Sequence, residues 1–246
     1  MTTQQMLSPF RRAITDFNLI EAGDRVAVGL SGGKDSLTLL YLLAAFRRFS
    51  PQPFELYAFT VDMGLGFREE EVSALRAWCG ELEVPLRIER TDIGQILFEI
   101  RREKNPCSLC SKLRRGALNG LARSAGCNKL ALGHHRDDFL ETFFLSLIYE
   151  GRLSSFAPKS FMSRAGITLI RPMLYLEEKN IRAYAAEQQF PLLHNPCPAN
   201  HFTRREFMKD LLADLQKEIP FAKERIFGAL ISPERDNLPG RPGRED

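Results

Sequence analysis

Residues 29–36 read Gly-Leu-Ser-Gly-Gly-Lys-Asp-Ser, a turn between the apolar run 25–28 and the apolar stretch that begins at Leu37. Gly32 and Gly33 can adopt backbone angles closed to other residues and let main-chain N–H groups approach an anion. Together with the first amides of a following helix, such groups form a nest for phosphate. Ser31 and Ser36 add hydroxyls, Lys34 adds a point charge, and Leu30 leads into the turn. Two common phosphate loops do not fit. The pattern GxGxxG is absent, and the pattern GxxxxGK[ST] fails at Val28 and at Asp35. Asp35 is informative in itself, because a carboxylate beside a polyphosphate is repulsive unless a cation lies between them. The loop therefore predicts a nucleotide bound with Mg²⁺.

Cysteine supplies a second chemistry. There are five, Cys79, Cys107, Cys110, Cys127 and Cys197, an odd count that argues against a disulfide framework. Cys107 and Cys110 have CxxC spacing, and Cys107 and Cys197 each follow an Asn-Pro dipeptide that holds the chain extended. Spacing leaves three readings open. Zinc could be bound by Cys107, Cys110, Cys197 and either His194 or His201. The CxxC pair could act in disulfide exchange. Three thiolates could hold a [4Fe–4S] cluster with one iron open. Cys79, on an amphipathic stretch, and Cys127, at a strand entrance, read as small buried residues.

A third group is Gly-His-His-Arg-Asp-Asp at 133–138. Gly133 permits close backbone approach, and His134, Asp137 and Asp138 follow it at the start of a helical pattern. Asp138 is the candidate for a Mg²⁺ or catalytic contact, although acids in a helix's first turn also serve its dipole. Asp62 ends the second strand-like run, where Val61 could meet an adenine through its backbone.

The elements that must position these groups alternate. Strands are expected at 25–30, 54–62, 85–92, 128–135 and 167–174. Helices are expected at 7–20 (entered through Ser8 and Pro9), 37–49, 68–82, 93–101, 111–126, 136–151, 176–189 and 203–218. This rhythm predicts an α/β fold: a doubly wound, five-stranded parallel sheet, Rossmann-like, with a C-terminal helix. Ligands of such sheets collect at the strands' carboxyl ends near the topological switch point, which is where residues 29–36, 61–64 and 133–138 fall on the first, second and fourth strands. The expected organisation is an N-terminal helical segment (1–22) and a nucleotide-binding domain with the CxxC insertion (23–195). A third-cysteine loop with its helix (196–231) and a flexible, proline- and charge-rich tail (232–246) complete it. A length of 246 residues, 44% hydrophobic and 26% charged, suits an ordinary globular protein. A net charge of +3 permits an anionic partner without demanding one. No apolar segment approaches the ~20 residues needed to span a bilayer. The N-terminus has no signal-peptide core, so a cytoplasmic protein is expected.

Ser31–Ser36 also match SGGxDS, and here the chain resembles the PP-loop ATP pyrophosphatases. That resemblance implies ATP cleaved between its α- and β-phosphates, leaving AMP on a substrate oxygen and pyrophosphate in the loop. The similarity narrows with the CxxC, the late cysteine, LGHHRDDFLET (132–142), YEGRLSSFAP (149–158) and IRPMLYLEEKNI (170–181). Over about residues 24–227 the chain resembles the tRNA 2-thiocytidine synthetases (TtcA-type). The resemblance implies catalytic roles for Lys34, Asp35 and Asp138, and an ATP site drawn from residues 30–36, Val61, Asp62, Gly133, His134 and Asp138. It implies an oxygen-sensitive [4Fe–4S] cluster on Cys107, Cys110 and Cys197, whose open iron carries the sulfide that replaces oxygen at C2 of a tRNA cytidine. After Cys197 stand Pro198, Ala199 and Asn200, where that family carries a further cysteine, the mark of a side branch. The implied partners are tRNA and a sulfur donor such as a cysteine desulfurase, and the sequence is compatible with a homodimer. Arg101, Arg102, Lys104, Lys112, Arg114, Arg115 and Arg123 flank the CxxC, and Arg204, Arg205 and Lys209 follow Cys197, as an RNA backbone would require. A lysidine-type tRNA ligase and a zinc-stabilised, ATP-binding RNA module are the alternatives.

Overall fold

The computed structural model describes residues 1–102, 106–194, 197 and 204–232. Lys104, Pro198–Asn200, His201 and the tail from residue 233 lie outside the described residues. The sheet starts from β1 (Arg25–Gly29), whose Val26, Ala27 and Val28 are fully buried. β2 (Glu55–Asp62) and β3 (Leu86–Arg90) pair parallel on one side of β1, and β4 (Lys129–Ala131) pairs parallel on the other. The order is β3-β2-β1-β4-β6-β5. β6 (Ile167–Ile170) extends the sheet parallel to β4, and β5 (Lys159–Met162) adds an antiparallel edge to β6.

The sheet is thus α/β and doubly wound, as expected, with six strands rather than five. The extra one is a hairpin edge of four residues, one of them exposed and none fully buried, so it leaves no hydrophobic alternation to read. The chain reverses direction across the sheet between β1 and β4, which defines the switch point.

Helices cover both faces because alternate strand residues point opposite ways. Val26, Val28, Leu56 and Ala58 face a core shared with α1 (Thr3–Asp16), α2 (Lys34–Arg47), α3 (Glu69–Glu81) and α7 (Glu178–Glu187). Ala27, Phe59 and Val61 face α4 (Ile93–Gln95), the π-helical turn Ile96–Ile100 and α5 (Pro106–Ser124). A smaller third cluster joins α6 (Arg136–Glu150), α8 (Arg204–Glu218) and α9 (Ala222–Ile231) through Phe139, Leu140, Leu212 and Phe227. α9 is a helix the sequence reading did not separate from its surroundings.

α1 starts earlier than Ser8 and Pro9 suggest. Thr2 and Gln5 form a reciprocal capping box, and Pro9 lies inside the helix. Its five buried residues, Met6, Leu7, Phe10, Ala13 and Ile14, outweigh the one backbone bond the proline forfeits. α5 begins at Pro106, so both CxxC cysteines lie in its first turns. Among the described residues no helix is long and apolar enough to cross a membrane.

Candidate functional site

The loop between β1 and α2 is shaped by its own hydroxyls. Ser36 Oγ accepts from the Ser31 amide at 3.1 Å and donates to the Gly33 carbonyl at 2.9 Å, while Ser31 Oγ accepts from the Gly33 amide at 3.4 Å. Gly32 has φ +79°, and a Cβ there would lie 2.4 Å from Leu193 Cβ, so only glycine fits. α2 starts at Lys34 with no side chain capping it. Its first-turn N–H groups therefore lack intrahelical partners and open toward the loop.

Lys34 and Asp35 then diverge. Lys34 Nζ sits 3.0 Å from Asp35 Oδ2 and 3.2 Å from Glu178 Oε1 at the start of α7. Burial pushes the Glu178 carboxyl up, but the Lys209 hydrogen bond, the Lys34 charge and Arg182 outweigh it and bring its pKa down to about 2. The Asp35 Oδ1 atom is buried with no hydrogen-bond partner. An orphaned carboxylate oxygen at a phosphate nest suits a divalent cation.

The tip of β4 rests on this loop. A Cβ at Gly133 would lie 3.0–3.2 Å from backbone atoms of Asp35 and Ser36, so the predicted close approach is of backbone to backbone. His135, not singled out in the sequence, is 4% exposed and brings the two motifs together. Its Nε2 lies 3.8 Å from Asp35 Oδ1 and 3.4 Å from Asp138 Oδ2, and its Nδ1 accepts from the Asp138 amide. Asp138 also caps the His135 amide and meets Arg205 Nη1 at 3.0 Å. Asp137 does structural work instead, accepting from the Glu178 amide and pairing with Lys223.

A cleft of about 710 Å³ collects the candidates. Its walls carry Leu30, Ser31, Asp35 and Ser36 from the loop, Val61 from β2, and Gly133, His134 and Asp138 from the β4 tip. Cys107, Cys110, Cys197, Arg114 and Arg115 line the same cleft. Asp62 does not line it, since Asp62 Oδ1 accepts from the Gly64 amide in a turn. Gly32, Gly33 and Lys34 shape the loop from outside the cleft lining, and exposed His194 stands apart from it.

Burial raises the Cys110 thiol pKa. Arg114 opposes this, and the neighbouring Cys197 and Cys107 add to it, so the three sulfurs share one electrostatic environment. Among the described residues no group of three or more cysteine, histidine or acidic side chains is spaced to hold a metal ion. The thiols share a wall without forming a closed single-ion ligand set. Cys79 and Cys127 are buried, with thiols pushed up by burial to about 12 and about 11, as inert core residues should be.

The sequence reading missed His135, Glu178, Arg171 and Phe156, which stack around or brace the cleft. Arg171 had a signal, a charge directly after the apolar strand β6.

A family model described as a PP-loop domain matches residues 4–215. The chain belongs to the PP-loop family. Among PP-loop proteins, it is 44% identical over 225 residues to the tRNA-cytidine(32) 2-sulfurtransferase of Geobacter metallireducens, covering 90% of this chain and 86% of that one. A protein of the same name from Pseudomonas syringae pv. tomato is 41% identical over 232 residues, covering 93% and 84%. The expected tRNA 2-thiocytidine synthetase branch is therefore its place within the PP-loop proteins. Among solved structures it resembles the U34-tRNA thiolase NcsA from Methanococcus maripaludis, described with its [4Fe–4S] cluster. The TM-score is 0.74 at 27% identity, over 93% of this chain and 78% of that one.

Proposed function

We propose that this protein is an ATP-dependent tRNA sulfurtransferase that replaces the C2 oxygen of a tRNA cytidine with sulfur in the cytoplasm. One observation carries the reading: a single cleft is lined by the phosphate-loop residues, by His134 and Asp138, and by all three cysteines. The names of the relatives and of the solved thiolase support the same reaction and substrate.

The chain's own residues divide the work. The α2 amides and Lys34 take the β- and γ-phosphates. Asp35, through its unpartnered Oδ1, and Asp138 are the carboxylates that would hold Mg²⁺, which commonly uses one or two carboxylates together with phosphate and water. His135 presents its Nε2 proton between these carboxylates, which keeps them together before the cation arrives. The cytidine C2 oxygen attacks the α-phosphorus, pyrophosphate leaves into the loop, and AMP remains on the base as leaving group. Cys107, Cys110 and Cys197 fit a [4Fe–4S] cluster by donor type, three soft thiols on one wall with Arg114 offsetting the charge of their thiolates. Such a cluster, when bound, would supply sulfur to take the place of AMP at C2, with a cysteine desulfurase or other donor replenishing it. Arg114 and Arg115 stand where the incoming nucleotide would need countercharge.

The test is anaerobic purification with iron and sulfide assay, combined with nucleoside digestion of tRNA from a deletion strain. Expected are bound iron and sulfide and loss of a 2-thiolated cytidine, restored by wild type but not by Cys110→Ala. Restoration by Cys110→Ala, or zinc in place of iron, would overturn the reading.

A further inference from the structure

Five aspartate, glutamate, lysine and arginine side chains are buried among the described residues, and four of them stand opposite a countercharge. Asp24 and Lys129 pair with each other, Asp137 pairs with Lys223, and Glu141 lies 3.5 Å from Arg205. Arg171, 9% exposed, is the exception: among the described residues no carboxylate pairs with it. A buried cation without an acid is costly unless something else supplies negative charge.

The guanidinium is nonetheless held in one orientation. Arg171 follows β6, beside the tip of β4, where the Leu132 amide donates to the Ile170 carbonyl. Its Nε donates to His134 Nδ1 at 3.2 Å, and its Nη1 donates to the Ala157 carbonyl. It lies over the Phe156 ring, 4.8 Å from the centroid. Arginine carries five N–H donors, and among the described residues two of them have protein partners. Because arginine can only donate, His134 must accept at Nδ1, and burial pulls its pKa down, which keeps it neutral for that role. His134 is thus a positioning residue for Arg171.

Arg171 lines the same cleft as the phosphate loop and the cysteines. Burial, together with the charge of nearby Arg115, pulls its pKa down to about 10, so it remains a cation at neutral pH. Arg115 and Arg171 thus line one volume, and among the described residues neither pairs with a carboxylate; a guanidinium fork matches the oxygens of a phosphoryl group.

We infer that Arg171, aimed by His134 and Phe156, is a phosphoryl-binding residue of this cleft. It lines the cleft that also holds the phosphate loop and the thiols, where its remaining N–H donors can meet a phosphoryl group in fixed geometry. That group is either the nucleotide's α-phosphate or the RNA backbone phosphate beside the target base. The identity of these two ligands rests on the proposed function; the need for an oxyanion rests on the arginine's surroundings.

The experiment measures binding of α,β-methylene ATP with Mg²⁺, and separately of tRNA, to the full chain and to Arg171→Met and Arg171→Lys. Circular dichroism and thermal unfolding of each variant accompany the binding. The expected result is at least a tenfold loss of affinity for one ligand in the folded Arg171→Met protein. Arg171→Lys should recover only part of it, because it restores charge without the fork. Loss toward the ATP analogue alone assigns the nucleotide phosphate, and loss toward tRNA alone assigns the RNA backbone. Both affinities within twofold of wild type would overturn the inference while leaving the proposed function intact. Failure of both variants to fold would also overturn it, since the arginine would then be structural. A wild-type chain that binds neither ligand would sink the proposed function itself and this assignment with it.

Discussion

Replacing Gly32 with alanine tests how tightly the phosphate loop is specified. At φ +79° an L-residue pays about 1–2 kcal/mol for the left-handed conformation. The added Cβ would also lie 2.4 Å from Leu193 Cβ and 2.6 Å from Leu193 Cγ. Leu193 cannot swing away freely, because its amide donates to the Gly32 carbonyl at 3.0 Å. Overpacking of this kind adds about 1–3 kcal/mol, for a total of roughly 2–5 kcal/mol. Gly23 supplies the control. Its φ is +83°, but a Cβ there meets nothing within 4 Å, so Gly23→Ala carries only the conformational cost. In a chain of 246 residues each kcal/mol lowers Tm by about 2–4 °C. Gly32→Ala should therefore lower Tm by roughly 4–20 °C and Gly23→Ala by roughly 2–8 °C. Binding of a non-cleavable ATP analogue should fall at least tenfold in the first and stay unchanged in the second. Equal Tm losses with intact nucleotide binding in Gly32→Ala would refute the assignment of this glycine to the loop's shape.

Other outcomes follow from single groups. Asp35→Asn should weaken the Mg²⁺ dependence of nucleotide binding with little change in Tm, because the buried Oδ1 makes no hydrogen bond to lose and only the part-exposed Oδ2–Lys34 pair is weakened; titration with and without Mg²⁺ checks this. Lys129→Met should cost about 3 kcal/mol in urea unfolding, because it leaves Asp24 buried without its cation. Glu178, with its pKa lowered to about 2, contributes stability that is present above its usual value near 4.5 and lost as pH falls toward 2. Glu178→Gln should therefore be less stable at pH 7 and show a shallower decline between those limits. Denaturant midpoints measured across that range decide it.

Much of the architecture was legible because its signals are local. The runs at 25–30, 54–62 and 128–135 are legible as strands because buried parallel strands are continuously apolar, and the sheet uses 25–29, 55–62 and 129–131 of them. The phosphate loop was legible because adjacent glycines, a lysine and hydroxyls have few other uses together. β5 was not legible, since a short edge strand with half-exposed residues carries no alternation. The start of α1 was misjudged because Pro9 looks like a first-turn residue until the Thr2–Gln5 box is seen. His135 was passed over for His134 because adjacent histidines at a strand end cannot be told apart by type. Only the packing turns His135 inward between two carboxylates and His134 toward Arg171.

The order of residues alone determined which chemistries this protein carries, a nucleotide loop, a carboxylate pair and three thiols, because each is encoded by residue types a few positions apart. Only the tertiary structure decided that they share one cleft, that Asp62 does not line it, and that Arg171 does so with no carboxylate paired to it among the described residues. Those facts depend on strands 25–29, 129–131 and 167–170 lying side by side, a relation between segments up to about 140 residues apart that no local pattern records.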